Sequence, residues 1–164
     1  MSNDTTARSQ QQGLAHLIVL AVPLALLGGA LGFQFFAGLY PCEMCWWQRY
    51  GHIAAVILGV IAVMLPGLRR WLIGAGGLAL ASSAAIAAYH AGTEYGWWQG
   101  FTACTSAVKF GADPLAAIMN APVVRCDEVQ WKLFGISLAG FNFLISGAAS
   151  VAVFALLARS GRKG

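Results

Sequence analysis

Four long apolar stretches, separated by short polar segments, set the pattern of this 164-residue chain. They cover about residues 14–37, 46–65, 71–90 and 133–158. Each is close to the roughly 20 residues that an α-helix needs to cross a bilayer core of about 30 Å. A soluble helical protein is the poorer alternative, because almost no polar face remains to meet water. The pattern therefore predicts an all-α membrane protein, with a single domain over 1–164 that forms a four-transmembrane-helix bundle.

The composition agrees with a membrane protein and excludes two other classes. Hydrophobic residues make up 59% of the chain and charged residues 10%, with a mean hydropathy of +0.68. Disordered chains are poor in hydrophobic residues, and soluble domains carry roughly 25% charged residues. The net charge of +4 is scattered along the chain, so we expect no nucleic-acid partner. The first apolar stretch is too long for a cleaved signal peptide, and we interpret it as a retained helix.

Positive residues suggest the orientation in the membrane. They precede the first stretch, fill the turn between the second and third, and follow the fourth, at Arg8, Arg69, Arg70, Arg159, Arg162 and Lys163. By the positive-inside rule this side, which includes both termini, is cytoplasmic. The outer side then holds a short loop over about 38–45 and a long loop over about 91–132. Asp113 and Pro114 are typical of a helix start, so the long loop is predicted to contain a short helix parallel to the membrane.

All four cysteines fall in the two outer loops, at Cys42, Cys45, Cys104 and Cys126. Disulfides persist in oxidising compartments, which agrees with a position outside the cytoplasm. Four cysteines allow three pairings, and the spacing does not choose among them. A redox-active set is one interpretation. The alternative is a non-enzymatic membrane scaffold with two structural disulfides.

The stretch from Pro41 to Arg49, with the sequence PCEMCWWQR, carries the most chemical information. We expect Cys45 at the N-terminus of the second helix, where the helix dipole lowers the pKa of a thiol. Arg49 is one turn further along the same face and can stabilise the Cys45 thiolate or an anionic ligand. The alternative is an arginine that extends to the lipid headgroups. No His follows Cys45 and no second C-x-x-C exists, so we predict neither a haem nor a metal site.

Histidines and glycines complete the set of candidate positions. His90 ends the third apolar stretch, level with Cys45, and can bond to a ligand carbonyl or relay a proton. The alternative is an interfacial histidine without a role. His52 is one turn below Arg49 and is a weaker candidate for the same site. The glycines of the first stretch form a G-x-x-x-G, at Gly28 and Gly32, which we interpret as helix packing.

Taken together, these features resemble the DsbB family, whose members re-oxidise the soluble thiol oxidase DsbA and pass the electrons to a quinone. The resemblance rests on four helices, an outer Pro-Cys-x-x-Cys followed by Arg49, and a second cysteine pair in the last outer loop. The run RCDEVQWKLFGI over 125–136 is similar to the family's segment after its fourth cysteine, and Tyr89-His90 is similar to its histidine at the end of helix 3. The resemblance implies a multi-pass protein of the bacterial inner membrane, with its cysteines on the periplasmic side.

The resemblance also implies a role for each cysteine. Cys104 would take the attack of a DsbA-like periplasmic thiol oxidase and form the mixed disulfide. Cys126 would resolve that disulfide or exchange first with Cys42. Cys42 and Cys45 would form the disulfide nearest the membrane.

For the electron acceptor, the resemblance implies a membrane quinone, either ubiquinone or menaquinone. Cys45 would face the quinone, and Arg49 and His90 would bind it. An alternative is a vitamin K epoxide reductase-like protein, in which the electrons flow in the opposite direction. In such a protein we would expect the C-x-x-C late in the chain, whereas here it follows the first helix.

Overall fold

The computed structural model describes residues 2–100 and 124–161, with side chains from Thr6 onward. Its helices are α1 (Ser2–Phe36), α2 (Glu43–Met64), α3 (Arg69–Glu94) and α4 (Leu138–Gly161). A short 3₁₀ helix (Pro66–Leu68) joins α2 to α3. Two short antiparallel strands, β1 (Lys132–Leu133) and β2 (Ile136–Ser137), form a hairpin before α4.

The four helices have the length and composition of membrane spans. The candidate spans are Thr6–Phe36, Glu43–Met64, Pro66–Glu94 and Leu138–Gly161, with mean hydropathies from 1.3 to 2.3. An α-helix satisfies its backbone polar groups internally, which lipid requires. Large apolar side chains such as Phe36 and Val151 lie on the outer surface of the bundle, where lipid would cover them. The predicted all-α bundle of four membrane helices is confirmed.

The helix ends differ from the predicted positions where a cap or a turn intervenes. α2 begins at Glu43 rather than at Trp46, because Cys42 caps it. α3 continues past His90 to Glu94. α4 begins at Leu138 rather than near residue 133, because 132–137 form the hairpin. The predicted helix of the long loop and the residue Cys104 lie outside the described residues.

The hairpin lies against the C-terminal end of α3. Its two central residues, Phe134 and Gly135, have φ angles of 51° and 81°. Positive φ at both positions is typical of the two-residue turns that join twisted strands. The Tyr95 hydroxyl accepts a hydrogen bond from the Ser137 N–H at 2.8 Å and donates one to the Gly135 carbonyl at 3.0 Å. These bonds attach the segment before α4 to the end of α3.

Close packing between helices depends on small residues in α2 and α3. α3 contacts all three other helices. A β-carbon at Gly76 would lie 2.5 Å from Cγ1 of Val19, and one at Gly59 would lie 2.6 Å from Cδ2 of Leu20. Small side chains of this kind let membrane helices approach one another closely. α1 therefore packs against glycines of α2 and α3.

The glycines of α1 do not have this function within the bundle. Among the described residues, no heavy atom outside α1's own backbone lies within 4 Å of a β-carbon placed at Gly28 or Gly32. The interpretation of this G-x-x-x-G as a packing position of the bundle is therefore wrong. The signal was misleading because a small-residue spacing does not indicate which face of a helix meets its neighbour.

We predict that Gly76→Val lowers the free energy of unfolding by about 1–3 kcal/mol, the usual cost of overpacking a filled interior. The added methyl groups would meet Val19, a stiff and fully buried side chain. Gly28→Val is the matched control, since it makes the same change on an exposed helix face. The measurement is unfolding in mixed detergent micelles. Equal stability losses in the two variants would contradict the packing described here.

Candidate redox site

The site begins at the first turn of α2, where two thiols meet. Cys42 is the N-cap residue, and its extended backbone lets the sulfur accept a hydrogen bond from the Cys45 N–H at 3.3 Å. The two sulfurs are 2.8 Å apart and are not bonded to each other. A disulfide needs about 2.05 Å, so small side-chain movements can close or open the bond. This turn of helix can therefore hold either redox state of the pair.

His90 approaches the same sulfur from α3. Its Nε2 atom lies 3.6 Å from Cys42 Sγ, and its ring is 3% exposed. The sequence placed His90 level with Cys45. The hydrogen-bond contact of His90 is made with Cys42.

The favoured thiolate of the reduced pair is Cys42. Its pKa is lowered to about 5, mainly because the Cys45 S–H donates a hydrogen bond to its sulfur. Burial acts in the opposite direction, and the hydrogen bond and charge of His90 lower the pKa further. The sequence predicts the thiolate at Cys45 instead. The thiolate is at Cys42 because α2 starts earlier than predicted. Cys42 is therefore the N-cap residue, and its sulfur accepts a hydrogen bond from the Cys45 N–H.

Arg49 lies one turn below the pair and faces α1. Its guanidinium donates to Gln34 Oε1 at 2.7 Å and to the Ala30 carbonyl at 3.3 Å. It also lies over the Trp46 ring, 5.1 Å from the centroid. The side chain is 8% exposed, so it is held inside the bundle and does not extend to the surface. A positive charge is thereby fixed beside the site by contacts from two helices.

A buried polar network supports His90 from behind. The Gln48 amide nitrogen donates to the Met44 carbonyl at 3.2 Å and to His90 Nδ1 at 2.9 Å. Its oxygen accepts from Asn142 of α4 at 2.8 Å. Because Nδ1 accepts, the ring proton of neutral His90 is on Nε2, the nitrogen that faces Cys42.

The network continues toward the middle of the bundle. The Asn142 oxygen accepts from His52 Nε2 at 3.0 Å and from the Ser146 hydroxyl at 2.6 Å. His52 also contacts the Ser83 hydroxyl at 3.2 Å. The sequence analysis placed His52 near Arg49 but missed Gln48 and Asn142. Their polarity inside apolar helices was the signal that could have identified them.

Glu94, at the end of α3, is a second residue that the sequence analysis missed. Its Oε1 atom is 3.8 Å from His90 Nε2, and its side chain is only 7% exposed. Its Oε2 atom is buried and has no hydrogen-bond partner among the described residues. Glu94 lies within the long loop predicted over about 91–132, and the sequence analysis assigns it no role.

A cavity of about 370 Å³ opens beside these groups. Side chains from all four helices and from the segment before the hairpin form its walls. Most are apolar, and the polar ones include Cys42, Cys45, Arg49, His90 and Glu94. A mostly apolar cleft with a few converging polar groups is typical of a site for a small organic ligand.

Cys126, from the second cysteine pair, lies close to the first pair. Cys126 is fully buried, takes part in a disulfide, and packs in one cluster with Cys42 and Met44. Gln130 holds this segment to the short outer loop by donating to the Tyr40 carbonyl at 3.1 Å. Cys126 therefore lies beside the capping thiol of α2.

Two further contacts hold the same segment. Trp131 packs against Phe33 of α1 and Phe141 of α4, with ring centroids 5.0 and 6.3 Å apart. At the surface, Arg125 pairs with Asp127 and lowers the pKa of that carboxyl. The segment thus closes one wall of the cavity.

The two cysteine sulfurs and the His90 nitrogen are close enough together to be considered as metal ligands. The ligand atoms of Cys42, Cys45 and His90 all lie within 4.8 Å of one another. A metal would need the lone pair of His90 Nε2. The hydrogen bond from Gln48 to Nδ1 leaves the ring proton on that nitrogen, so the surrounding network favours a proton donor over a metal ligand.

Four membrane-length helices around a paired-thiol site define a multi-pass membrane disulfide oxidoreductase. A family model described as "Disulfide bond formation protein DsbB" matches residues 12–157. The "Disulfide bond formation protein B" of Alkalilimnicola ehrlichii is 39% identical, over 92% of this chain and 95% of that protein. Its namesake in Verminephrobacter eiseniae is 32% identical, over 89% and 85%. The chain belongs to the DsbB family of disulfide bond formation proteins. No solved structure matched it.

We predict that the reduced Cys42 thiol titrates near pH 5 rather than near the usual value of about 8.5. The measurement is the ultraviolet absorbance of the thiolate, reduced minus oxidised, in a variant with Cys104→Ala and Cys126→Ala. His90→Phe should raise the midpoint, because a hydrogen bond to the sulfur is lost. His16→Gln, at the far end of the bundle, should not. A wild-type midpoint near pH 8.5 would refute the assignment of the thiolate.

Proposed function

We propose that this protein re-oxidises a DsbA-like periplasmic thiol oxidase and transfers the electrons to a membrane quinone. The observation that carries the proposal is the thiol pair at the start of α2, which lines a mostly apolar cavity together with a buried arginine. Membership of the DsbB family supports the thiol–disulfide chemistry. The DsbA-like oxidase as electron donor and the quinone as electron acceptor are what we propose beyond that chemistry.

The exchange would begin at the outer cysteine pair. The thiolate of the partner attacks Cys104 of a Cys104–Cys126 disulfide, which forms a mixed disulfide and releases Cys126 as a thiolate. A second partner thiolate resolves the mixed disulfide, or Cys126 first attacks Cys42 of a Cys42–Cys45 disulfide. The second route is supported by the cluster in which Cys126 packs against Cys42. Each step breaks one S–S bond and forms another, and it ends with a reduced Cys42–Cys45 pair.

The residues of the cavity fit a quinone. Apolar walls from four helices suit a lipid-soluble ring, and Cys45 lies at the cavity surface. A bound quinone would supply a two-electron, two-proton acceptor. Arg49 would offset negative charge beside Cys45, and His90 would donate its Nε2 proton toward the sulfur of Cys42. Oxidation of the pair would restore the Cys42–Cys45 disulfide.

The energetics explain why a membrane acceptor is needed. DsbA is a strong oxidant, with a known reduction potential of about −120 mV. Re-oxidising such a partner with an ordinary thiol pool would run uphill by about 1.4 kcal/mol per 30 mV. A lipid-soluble acceptor of higher potential removes this barrier. It also accounts for a redox pair placed at the end of a membrane helix.

The proposed orientation places the cysteines in the periplasm of a bacterium and both termini in the cytoplasm. The redox site and the Arg69–Arg70 turn lie at opposite ends of α3. Basic residues stay preferentially on the cytoplasmic side of the inner membrane. The second cysteine pair would then lie on the side of the oxidising periplasm.

We predict that Cys45→Ser abolishes quinone reduction, because the Cys42–Cys45 disulfide can no longer form. The variant should still form the mixed disulfide with the partner through Cys104. The assay is anaerobic reduction of a short-chain quinone by a reduced DsbA-like oxidase. Glu43→Gln, an exposed change next to the pair, is the matched control and should keep wild-type turnover. Undiminished quinone reduction by Cys45→Ser would refute the proposed function.

A further inference from the structure

Glu94 is a buried acidic group to which the reaction proposed above gives no role. More than nine-tenths of its side chain is buried, and it lines the cavity together with Cys45. One carboxyl oxygen, Oε1, faces His90 Nε2 at 3.8 Å. The other, Oε2, is buried without a hydrogen-bond partner among the residues that the structure describes. A buried carboxyl oxygen without a partner is costly, and a ligand or a proton would relieve that cost.

The groups around Glu94 determine which charges it meets. His90 lies on its own helix, and Cys42 and Cys45 approach from α2. The Ser137 hydroxyl of β2 also contacts the carboxyl. The same cavity is lined by three further charged side chains, at Arg49, Arg125 and Glu128. The carboxyl therefore lies near a histidine and a thiol pair and is also one of the groups that line the cavity.

The reduced thiol pair holds one proton fewer than a quinone needs, and Glu94 can supply the other. Oxidation of a dithiol to a disulfide releases two electrons and two protons. In the reduced site Cys42 is already ionised, so Cys45 holds only one of those two protons. A quinone needs both. A buried acid that lines the cavity and lies close to Cys42 can hold the missing proton, and Glu94 meets both conditions.

His90 provides the connection. Its Nε2 atom is within reach of both Cys42 Sγ, at 3.6 Å, and Glu94 Oε1, at 3.8 Å. Gln48 fixes the ring by its bond to Nδ1. Nε2 keeps its own proton and lies between the sulfur and the carboxyl, so the loss of a proton from Cys42 and its uptake by Glu94 occur at neighbouring, coupled groups. A second anion next to the Cys42 thiolate would also be repelled, which favours the neutral acid.

We propose that Glu94 stores the proton that Cys42 releases when the pair is reduced, and donates it from Oε2 to the acceptor in the cavity. When the S–S bond forms, the electron pair leaves the sulfurs, one proton leaves Cys45, and one leaves Glu94. The carboxyl is then ionised until the next reduction. This inference rests on the proposed function for its acceptor, but the protonation of Glu94 is a property of the chain alone.

The test is reduced-minus-oxidised infrared difference spectroscopy of the quinone-free protein. Reduction of the Cys42–Cys45 pair should produce a carboxylic-acid C=O band that shifts in D₂O. The band should be lost in Glu94→Gln and kept in Glu43→Gln, an exposed acid on α2. Glu94→Asp should keep a band at a shifted frequency, which shows that the site still folds. A wild-type band that survives Glu94→Gln, or no band at all, would overturn the proposal.

A kinetic measurement separates this proposal from the proposed function. Glu94→Gln should lower the rate of quinone reduction by about 100-fold, at the lower end of general acid catalysis. Its mixed-disulfide formation with the partner should be unchanged. If the wild-type protein does not reduce a quinone, the proposed function fails while the infrared band can still be present. If Glu94→Gln reduces quinone at the wild-type rate, the role of Glu94 fails and the function stands.

Discussion

The capping of α2 by the sulfur of Cys42 is the contact on which the site depends. The cap places one thiol where a helix N–H and a second thiol both donate to it, and that is the environment in which a thiolate is stable. It also sets Cys45 one turn in, at the surface of the cavity. A shift of the helix start would separate the sulfurs from His90 and from Arg49. The redox pair thus results from where the two cysteines lie, at the N-cap and in the first turn of α2.

Polar groups inside the bundle hold this arrangement in place. In lipid, buried polar side chains cost free energy unless they are paired, and Gln48 and Asn142 pair with one another across α2 and α4. The hydrogen bonds of Gln48 and Asn142 lead to His90 Nδ1, and this places the ring proton of His90 on Nε2. Arg49 joins α2 to α1 in the same way through Gln34. The bonds that tie the helices together are therefore also the bonds that orient the redox groups.

The sequence was sufficient for the number of helices and for which residues would gather at one end. Hydropathy predicts membrane helices well, because lipid leaves the backbone few alternatives. It could not place the thiolate, since the difference between Cys42 and Cys45 depends on a helix start three residues away from the apolar boundary. Glu94 was missed because a charge after an apolar run resembles a loop residue, and the continuation of α3 was not encoded in hydropathy. The polarity of Gln48 and Asn142 inside apolar helices marks both residues as candidates, but it does not show that they pair with one another.

The proposed reaction depends most on the buried guanidinium of Arg49, which would hold an electron acceptor beside the Cys42–Cys45 pair. The most direct measurement is the apparent KM for a short-chain quinone in Arg49→His, with Arg70→His at the opposite end of the bundle as the matched control. We expect a KM raised by about tenfold, which corresponds to the loss of about 1.4 kcal/mol of charge-assisted binding, with disulfide exchange at the Cys104–Cys126 pair unchanged. An unaltered KM would contradict it and would leave Arg49 with a purely structural role between α1 and α2.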